Sequence, residues 1–353
     1  MAPTHDDYTV GWICALPREL AAAREMLDDE HESLYAEAAD CNAYTLGRIG
    51  THNVVLACLP VGEYGVVPSA VTVMRMKATF PKLEIGLLVG VGGGIPSDKH
   101  DIRLGDVVVG DTGVIQYDMG KTVQGGRFIC TQERLRPPQG PLLAVSHLQA
   151  GHQLGKERMH EYIEDMTRRY PDFSYPGVDL DILFASGYDH PERNASCAQC
   201  DPFKRVSRKP RPSIRPVVHY GLIASGNQVM RHGATRDELR TEHDILCFEM
   251  EAAGLMRVFP SLVVRGICDY SDSHKNKIWQ DYAAVAAAAY AKELLTVIPG
   301  PLARQAGACF MVPFALSPKF VGRETVLKMI DQKLEVKQPA VLAGMGGVGY
   351  EYS

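Results

Sequence analysis

Two apolar runs, YTVGWICAL (8–16) and NVVLACLPV (53–61), constrain this chain more than any other feature. Both are rich in β-branched residues and bounded by turn formers, so each reads as a buried strand. Between them RELAAAREMLDDEHESL reads as a helix, with Pro17 suited to its first turn. The pattern repeats downstream. VVPSAVTVMRMKATFP is a helix that stops at Pro81, IGLLVGVGGGIP (85–96) is an apolar run that breaks into a glycine turn, and DVVVGDTGVIQYD (106–118) is strand-like. A polar helical stretch spans 142–170, and FEMEAAGLMRVF, LVVRGICDY and DYAAVAAAAYAKELLTVIP read as helix, strand and helix. Strands and helices alternating at these lengths imply one α/β domain over residues 8–298.

Residues 187–216 break the pattern. They are polar, basic and proline-rich, which reads as a solvated surface insertion. Prolines at 299, 301, 313 and 318 mark a linker over 299–319, and 320–353 form a short remnant. Composition excludes several classes. Apolar residues make up 46% and charged residues 22%, as in a globular chain with a large core. The net charge of −5 supplies no field for nucleic acid or an anionic membrane. The opening MAPTHDDYTV has neither a basic n-region nor a long apolar run, so no signal peptide or membrane span is expected. Nine scattered cysteines suit reduced thiols in a cytoplasmic protein. Cys197-x-x-Cys200 with His190 nearby is half a zinc site. Because a structural zinc takes four ligands, free thiols are the default and no metal or other cofactor is expected.

Three stretches could carry chemistry, and each also has an ordinary reading. In FEMEAAG (248–254), Glu249 and Glu251 flank a methionine; acids also favour the first turn of a helix. In RGICDYSDSHKN (265–276), an apolar strand delivers Asp269 at its C-terminal end, where ligands bind in open α/β sheets; a strand-end Asp also makes turns. In GVGGGIP (90–96), glycines let a ligand approach the backbone; they also make tight turns.

Together with CALPREL and SGNQVM, and in this order, the stretches resemble the purine nucleoside phosphorylase and nucleosidase superfamily, in particular its methylthioadenosine/adenosylhomocysteine nucleosidase branch. They look most like the nucleosidase-like domain at the N-terminus of fungal NLR-like proteins. The resemblance implies an α/β three-layer fold with a central mixed sheet flanked by helices. It implies cleavage of the N-glycosidic bond of a purine nucleoside or nucleotide, and a homo-oligomer. Asp269 then stands where the family places the acid that protonates the base, its proton held by burial, and Glu19 where it places the carboxylate that activates water. Glu251 would accept from the ribose hydroxyls, with Met250 beneath the sugar and Val229 and Met230 near the purine. Glu249, Val91, Gly92, Gly93 and Asn227 complete the substrate-binding set. An Asp at the acid position favours 6-aminopurines, hence adenosine or ATP. Phosphorolysis would need arginines at the glycine turn; none lies nearer in sequence than Arg103, and Glu19 supplies a base, so hydrolysis is favoured. His274 and Lys275 read as helix-entry residues. Arg231, His232 and the basic insertion are candidates for a triphosphate. A phosphorylase, or a non-catalytic sensing or oligomerisation domain, remains the alternative.

The last residues, VLAGMGGVGYEYS, space Gly344 and Gly349 as in a phosphate-binding loop but put Tyr350 at its lysine position and Glu351 at its hydroxyl position. With FVGRE upstream they resemble the opening of an NB-ARC ATPase module, truncated before it can do chemistry.

Overall fold

The computed structural model describes residues 3–35, 40–191 and 197–300; the linker from residue 301 and the NB-ARC-like remnant lie outside the described residues. The first apolar run forms β1 (Val10–Cys14), and Pro17 opens α1 (Pro17–Glu25). That helix is shorter than its sequence suggests, because the chain then turns into the edge strand β2 (Asp29–His31). β3 (Tyr44–Ile49) and β4 (His52–Cys58) form a hairpin, and α2 (Val66–Thr79) ends before Pro81 as expected.

β5 (Ile85–Gly94) differs from its expected form. It does not break at the glycines but runs through them as strand, all at ordinary φ. The 106–118 segment splits into β6 (Val107–Val109) and β7 (Val114–Gln116), parted by a turn with Gly113 at φ 111°. A small hairpin follows, β8 (Gly120–Thr122) and β9 (Phe128–Cys130), and then two helices, α3 (Gln139–Gln153) and α4 (Met159–Arg169). After the insertion come β10 (Val218–Tyr220), β11 (Leu222–Ser225), α5 (Gly233–His243) and β12 (Ile245–Glu249). The expected helix at 248–259 begins only at α6 (Ala252–Val258), since Phe248 and Glu249 still belong to β12. β13 (Ser261–Asp269) and the alanine-rich α7 (Gln280–Val297) close the domain. Lys275 and His274 precede α7 by several residues and are not at a helix entry.

The main sheet runs β10-β6-β13-β5-β1-β4-β3-β2, mixed in direction and flanked by helices. Its centre, β13-β5-β1-β4, is parallel and apolar on both faces, which explains why those strands read as unbroken apolar runs. α7 is buried on nearly every side, and small alanines let it lie close against the sheet.

β5 is the hinge of the architecture. It pairs with β1 only as far as Leu88; beyond that its glycines pair with β12 in the opposite sense. β12 carries β11, and β11 carries β7, so a second limb of sheet leaves the first at this point. The limb has its own core of Ile95, Ile115, Tyr117, Leu222, Ala224, Met230, Ile245 and Phe248. β5 parts from β1 just where β1 gives way to the loop into α1. A crevice therefore opens at the C-terminal ends of the strands, in the position typical of ligand sites in open α/β sheets.

The insertion is not the freely solvated loop its composition suggests. Arg208 pairs with Asp181 at 2.9 Å and reaches the Tyr270 hydroxyl, and Arg211 pairs with the buried Asp106 at 2.6 Å. These two arginines offset acids of the body, while Lys204, Arg205, Lys209 and Arg215 remain exposed.

Candidate active site

The crevice encloses a cavity of about 320 Å³ lined by residues of both cores: Ala15, Leu16, Glu19 and Tyr64, then Val91, Gly92 and Gly93, then Gln228, Val229 and Met230, then Phe248 to Glu251, and Cys268, Ser271, Lys275, Lys277 and Gln280. A larger hollow of about 690 Å³ lies elsewhere, between His152 and Tyr220, and holds none of the carboxylates singled out in the sequence.

Glu19, Glu249 and Glu251 meet here although 230 residues separate the first from the second. What holds them together is Arg265, which the sequence reading passed over. Its side chain is 1% exposed, and its Nη2 donates to Glu249 Oε2 and, at 3.2 Å, to Glu251 Oε2. A lone arginine within LVVRGIC was the available signal, because a charge in the middle of a buried strand has to be paired. Arg265 Nη1 also lies 3.4 Å from the Val91 carbonyl, so an arginine does stand at the glycine run. It is committed to carboxylates.

Glu19 sits in the first turn of α1. Its Oε2 accepts from the Ala15 and Leu16 amides at 2.7 and 2.9 Å, and its Oε1 from the Val91 amide at 2.7 Å. Burial nevertheless holds its carboxyl above the usual glutamate range, outweighing Arg265 and the three amides. Glu251 is pushed up to about 7, first by burial and then by Glu249 and Glu19, with Arg265 opposing. The Gly65 amide donates to its Oε1 at 3.3 Å. Glu249 is neither a simple first-turn acid nor a free ligand. It ends β12, and its carboxylate accepts from the Glu251 and Ala252 amides at 3.0 Å, covering the N-terminus of α6.

Two glycines of β5 make this possible by close approach. A Cβ on Gly90 would lie 2.4 Å from Glu19 Oε1 and 2.6 Å from Arg265 Nη1; one on Gly93 would lie 2.0 Å from Ser271 Oγ and 2.7 Å from Asp269 Oδ1.

Asp269 ends β13, where the register against β5 skips Cys268: Ile267 pairs with Gly92 and Asp269 with Gly93. A bulge of this kind re-aims a side chain. Asp269 is buried, as expected, but an ammonium and not an apolar wall faces it. Lys275 Nζ lies 2.9 Å from Oδ2, and the Ser271 amide donates to Oδ1 at 2.9 Å. Asp269 shares the wall of an adjoining hollow of about 240 Å³ and is not itself among the residues lining the main cavity; its partners Ser271 and Lys275 are. Burial works against the charge of Lys275, yet Asp269 outweighs it and raises the lysine pKa.

Met250, Val229, Met230, Val91, Gly92 and Gly93 all line the cavity. Asn227 does not. Its Oδ1 accepts from the Val66 amide at 3.0 Å, bracing the start of α2 from outside. His232 caps α5 through Thr235.

The profile of the phosphorylase superfamily matches residues 9–298, the span that builds both cores and the cavity. The chain belongs to the phosphorylase superfamily. Within it, the chain is 44% identical over 98% of its length to a nucleotide-binding leucine-rich repeat (NLR)-like protein of Hyaloscypha variabilis, of which it spans 35%. It is 26% identical over 82% of its length to the 5'-methylthioadenosine/S-adenosylhomocysteine nucleosidase of Mycobacterium tuberculosis, covering 97% of that protein. It is also 26% identical over 78% of its length to the ATP nucleosidase Cap17 of Escherichia coli, covering 48% of it. Among solved superfamily folds, the 5'-methylthioadenosine/S-adenosylhomocysteine nucleosidase of Neisseria meningitidis, in complex with methylthio-immucillin-A, superposes with a TM-score of 0.52 at 18% identity over 82% of this chain and 98% of that one. Superfamily relatives named as nucleosidases thus support nucleoside hydrolysis as the activity of the family branch. No helix among the described residues is long and apolar enough to cross a membrane.

Proposed function

We propose that this chain hydrolyses the N-glycosidic bond of an adenine-type purine riboside, nucleoside or nucleotide, and releases the free base. The observation that carries the reading is the buried cluster of Glu19, Glu249 and Glu251 around the single cation Arg265 at the cavity wall. Cleavage of a ribosyl bond develops positive charge on the sugar. A water-poor site with more carboxylates than cations favours that charge over the neutral substrate. In this reading Glu251 accepts from the ribose hydroxyls over Met250, Glu19 takes the proton of the attacking water, and the Asp269–Lys275 pair protonates the departing base, the proton passing from the Lys275 ammonium through Asp269 and being replaced from solvent after the base leaves.

Hydrolysis is preferred to phosphorolysis because the arginine at the glycine run is tied to two carboxylates and Lys275 to Asp269, while Lys277 stands at the exposed mouth. Phosphate would find no buried cation to bind among the described residues of the wall. A cavity of about 320 Å³ suits the nucleoside part of a substrate, with any phosphates lying outward. Homology to an ATP nucleosidase and to a methylthioadenosine nucleosidase supports adenine compounds at large. A homo-oligomer is part of the proposal: Val61, Tyr64, Val67 and Met74, before and along α2, are exposed apolar residues, Tyr64 also lining the cavity, and sedimentation would read the assembly.

The test is incubation with ATP, adenosine, inosine and methylthioadenosine, with and without phosphate, followed by chromatography of the free base. Adenine released without phosphate is expected, with a loss of roughly 10²–10⁴-fold in Asp269→Asn and in Glu19→Gln. Release that requires phosphate would make the chain a phosphorylase. No base from any compound would leave a binding domain.

A further inference from the structure

As sequence, Cys197-x-x-Cys200 with His190 is half a zinc site on a polar insertion. The fold closes most of the other half. The ligand atoms of His190, Cys197 and Cys200 all lie within 4.8 Å of one another, with Cys200 buried and the other two partly so. A tetrahedral zinc holds sulfur and nitrogen ligands about 3.3–3.8 Å apart, so an adjustment of roughly 1 Å gathers this set. Thiolate and imidazole together are the donors that suit zinc over magnesium or calcium.

Three ligands leave a fourth position, and a second imidazole stands beside them. The ring of His274 lies 5.2 Å from that of His190, and the His274 carbonyl lies 3.9 Å from Cys197 Sγ. His274 is 7% exposed and is stacked on Phe184 at 4.0 Å. Among the described residues neither of its ring nitrogens has a hydrogen-bond partner; the nearest acid, Asp272, is 3.8 Å away. A buried polar ring without a partner needs a reason, and a metal facing it provides one.

We infer that His190, Cys197 and Cys200 form a zinc site, with His274 beside its fourth position. Binding replaces two S–H bonds by two Zn–S bonds and releases both protons to solvent, with no change of oxidation state. The site joins two parts of the chain that lie far apart in sequence. His190, Cys197 and Cys200 belong to the insertion, whereas His274 belongs to the loop that follows Asp269 and carries Lys275. The His190 amide already donates to Ser273 Oγ of that loop at 2.9 Å. Cys197, Asp269, Asp272 and His274 also line one hollow of about 240 Å³. A metal here would fasten the insertion behind the proposed acid.

The full-length protein, purified without a metal-affinity step and dialysed against zinc-free buffer, is analysed by mass spectrometry for bound metal. About one zinc per chain is expected, the stoichiometry of a single closed site. Exchange for cobalt should give intense d–d bands together with thiolate-to-cobalt charge-transfer absorption, a readout independent of any variant. Cys197→Ser/Cys200→Ser should lose both signals, Cys41→Ser at an exposed position elsewhere should keep them, and His274→Ala should weaken zinc at least 10-fold in a chelator competition. A cobalt spectrum without thiolate charge transfer, zinc retained in the double serine variant, or a Cys197–Cys200 disulfide in protein prepared under reducing conditions would each overturn the assignment.

Discussion

Glu251→Gln tests the charge balance of the buried cluster directly. Glu251 binds its proton at about 7 in the folded chain, against 4.5 for an ordinary glutamate. At about 1.4 kcal/mol per tenfold change in proton affinity, that difference amounts to about 3 kcal/mol. The folded state holds the proton more tightly, so the contribution is fully present below pH 4.5 and is lost as pH rises through about 7. Roughly 2 kcal/mol of it falls between about pH 5 and pH 8. Glutamine keeps the shape and does not titrate, so the variant should lose this part of the pH dependence. Urea unfolding of both proteins at the two pH values gives the quantity sought, the difference between their pH-induced changes. Glu19 titrates in both proteins in the same direction and largely cancels. If wild type and variant lose the same stability between the two pH values, Glu251 does not carry the burden assigned to it, and the description of the cluster fails.

Three further perturbations separate the parts of the site. Arg265→Met leaves three buried carboxylates without their cation and should cost about 3–5 kcal/mol in urea unfolding; a loss under about 1 kcal/mol would show that Arg265 is not the organiser. Gly90→Ala forces a methyl group against Glu19 and Arg265, both already held by other bonds, and should destabilise by about 1–3 kcal/mol and lower activity. Asn227→Ala removes the brace on the Val66 amide and should cost about 1 kcal/mol while leaving KM nearly unchanged; a large rise in KM would return Asn227 to the substrate.

The parallel strands were legible because each is buried on both faces and therefore apolar throughout, and α2 and α7 because proline ends them. Asp269 was legible from its place at a strand's end, and Glu19 only through the family resemblance. What joins them was not. Arg265 touches Glu249, Glu251 and the Val91 carbonyl through pairings 16, 14 and 174 residues apart, and no local pattern encodes those. The glycine run misleads for a related reason: its glycines serve close approach by Glu19, Arg265 and Ser271, not a turn. Lys275 looks like any loop lysine until the bulge at Cys268 sets Asp269 against it. The insertion reads as solvated because its acidic partners, Asp106 and Asp181, lie elsewhere in sequence.

β5 packs into the larger core and leads, through Ile95 just beyond its end, into a much smaller one, and unequal cores do not open together. The limb of β7, β11 and β12 has only eight buried apolar residues to itself and joins the larger core through Val114, Ile223, Leu246 and Cys247, so its amides should exchange with solvent through partial openings below the free energy of global unfolding. Each such opening would carry Met230 and Phe248 away from the cavity while Glu19, Cys268 and Asp269 stay with the larger core. A ligand seated between them would therefore act as a clasp. Its binding energy would appear as slowed exchange in β11 and β12, with little change in β1 or β4.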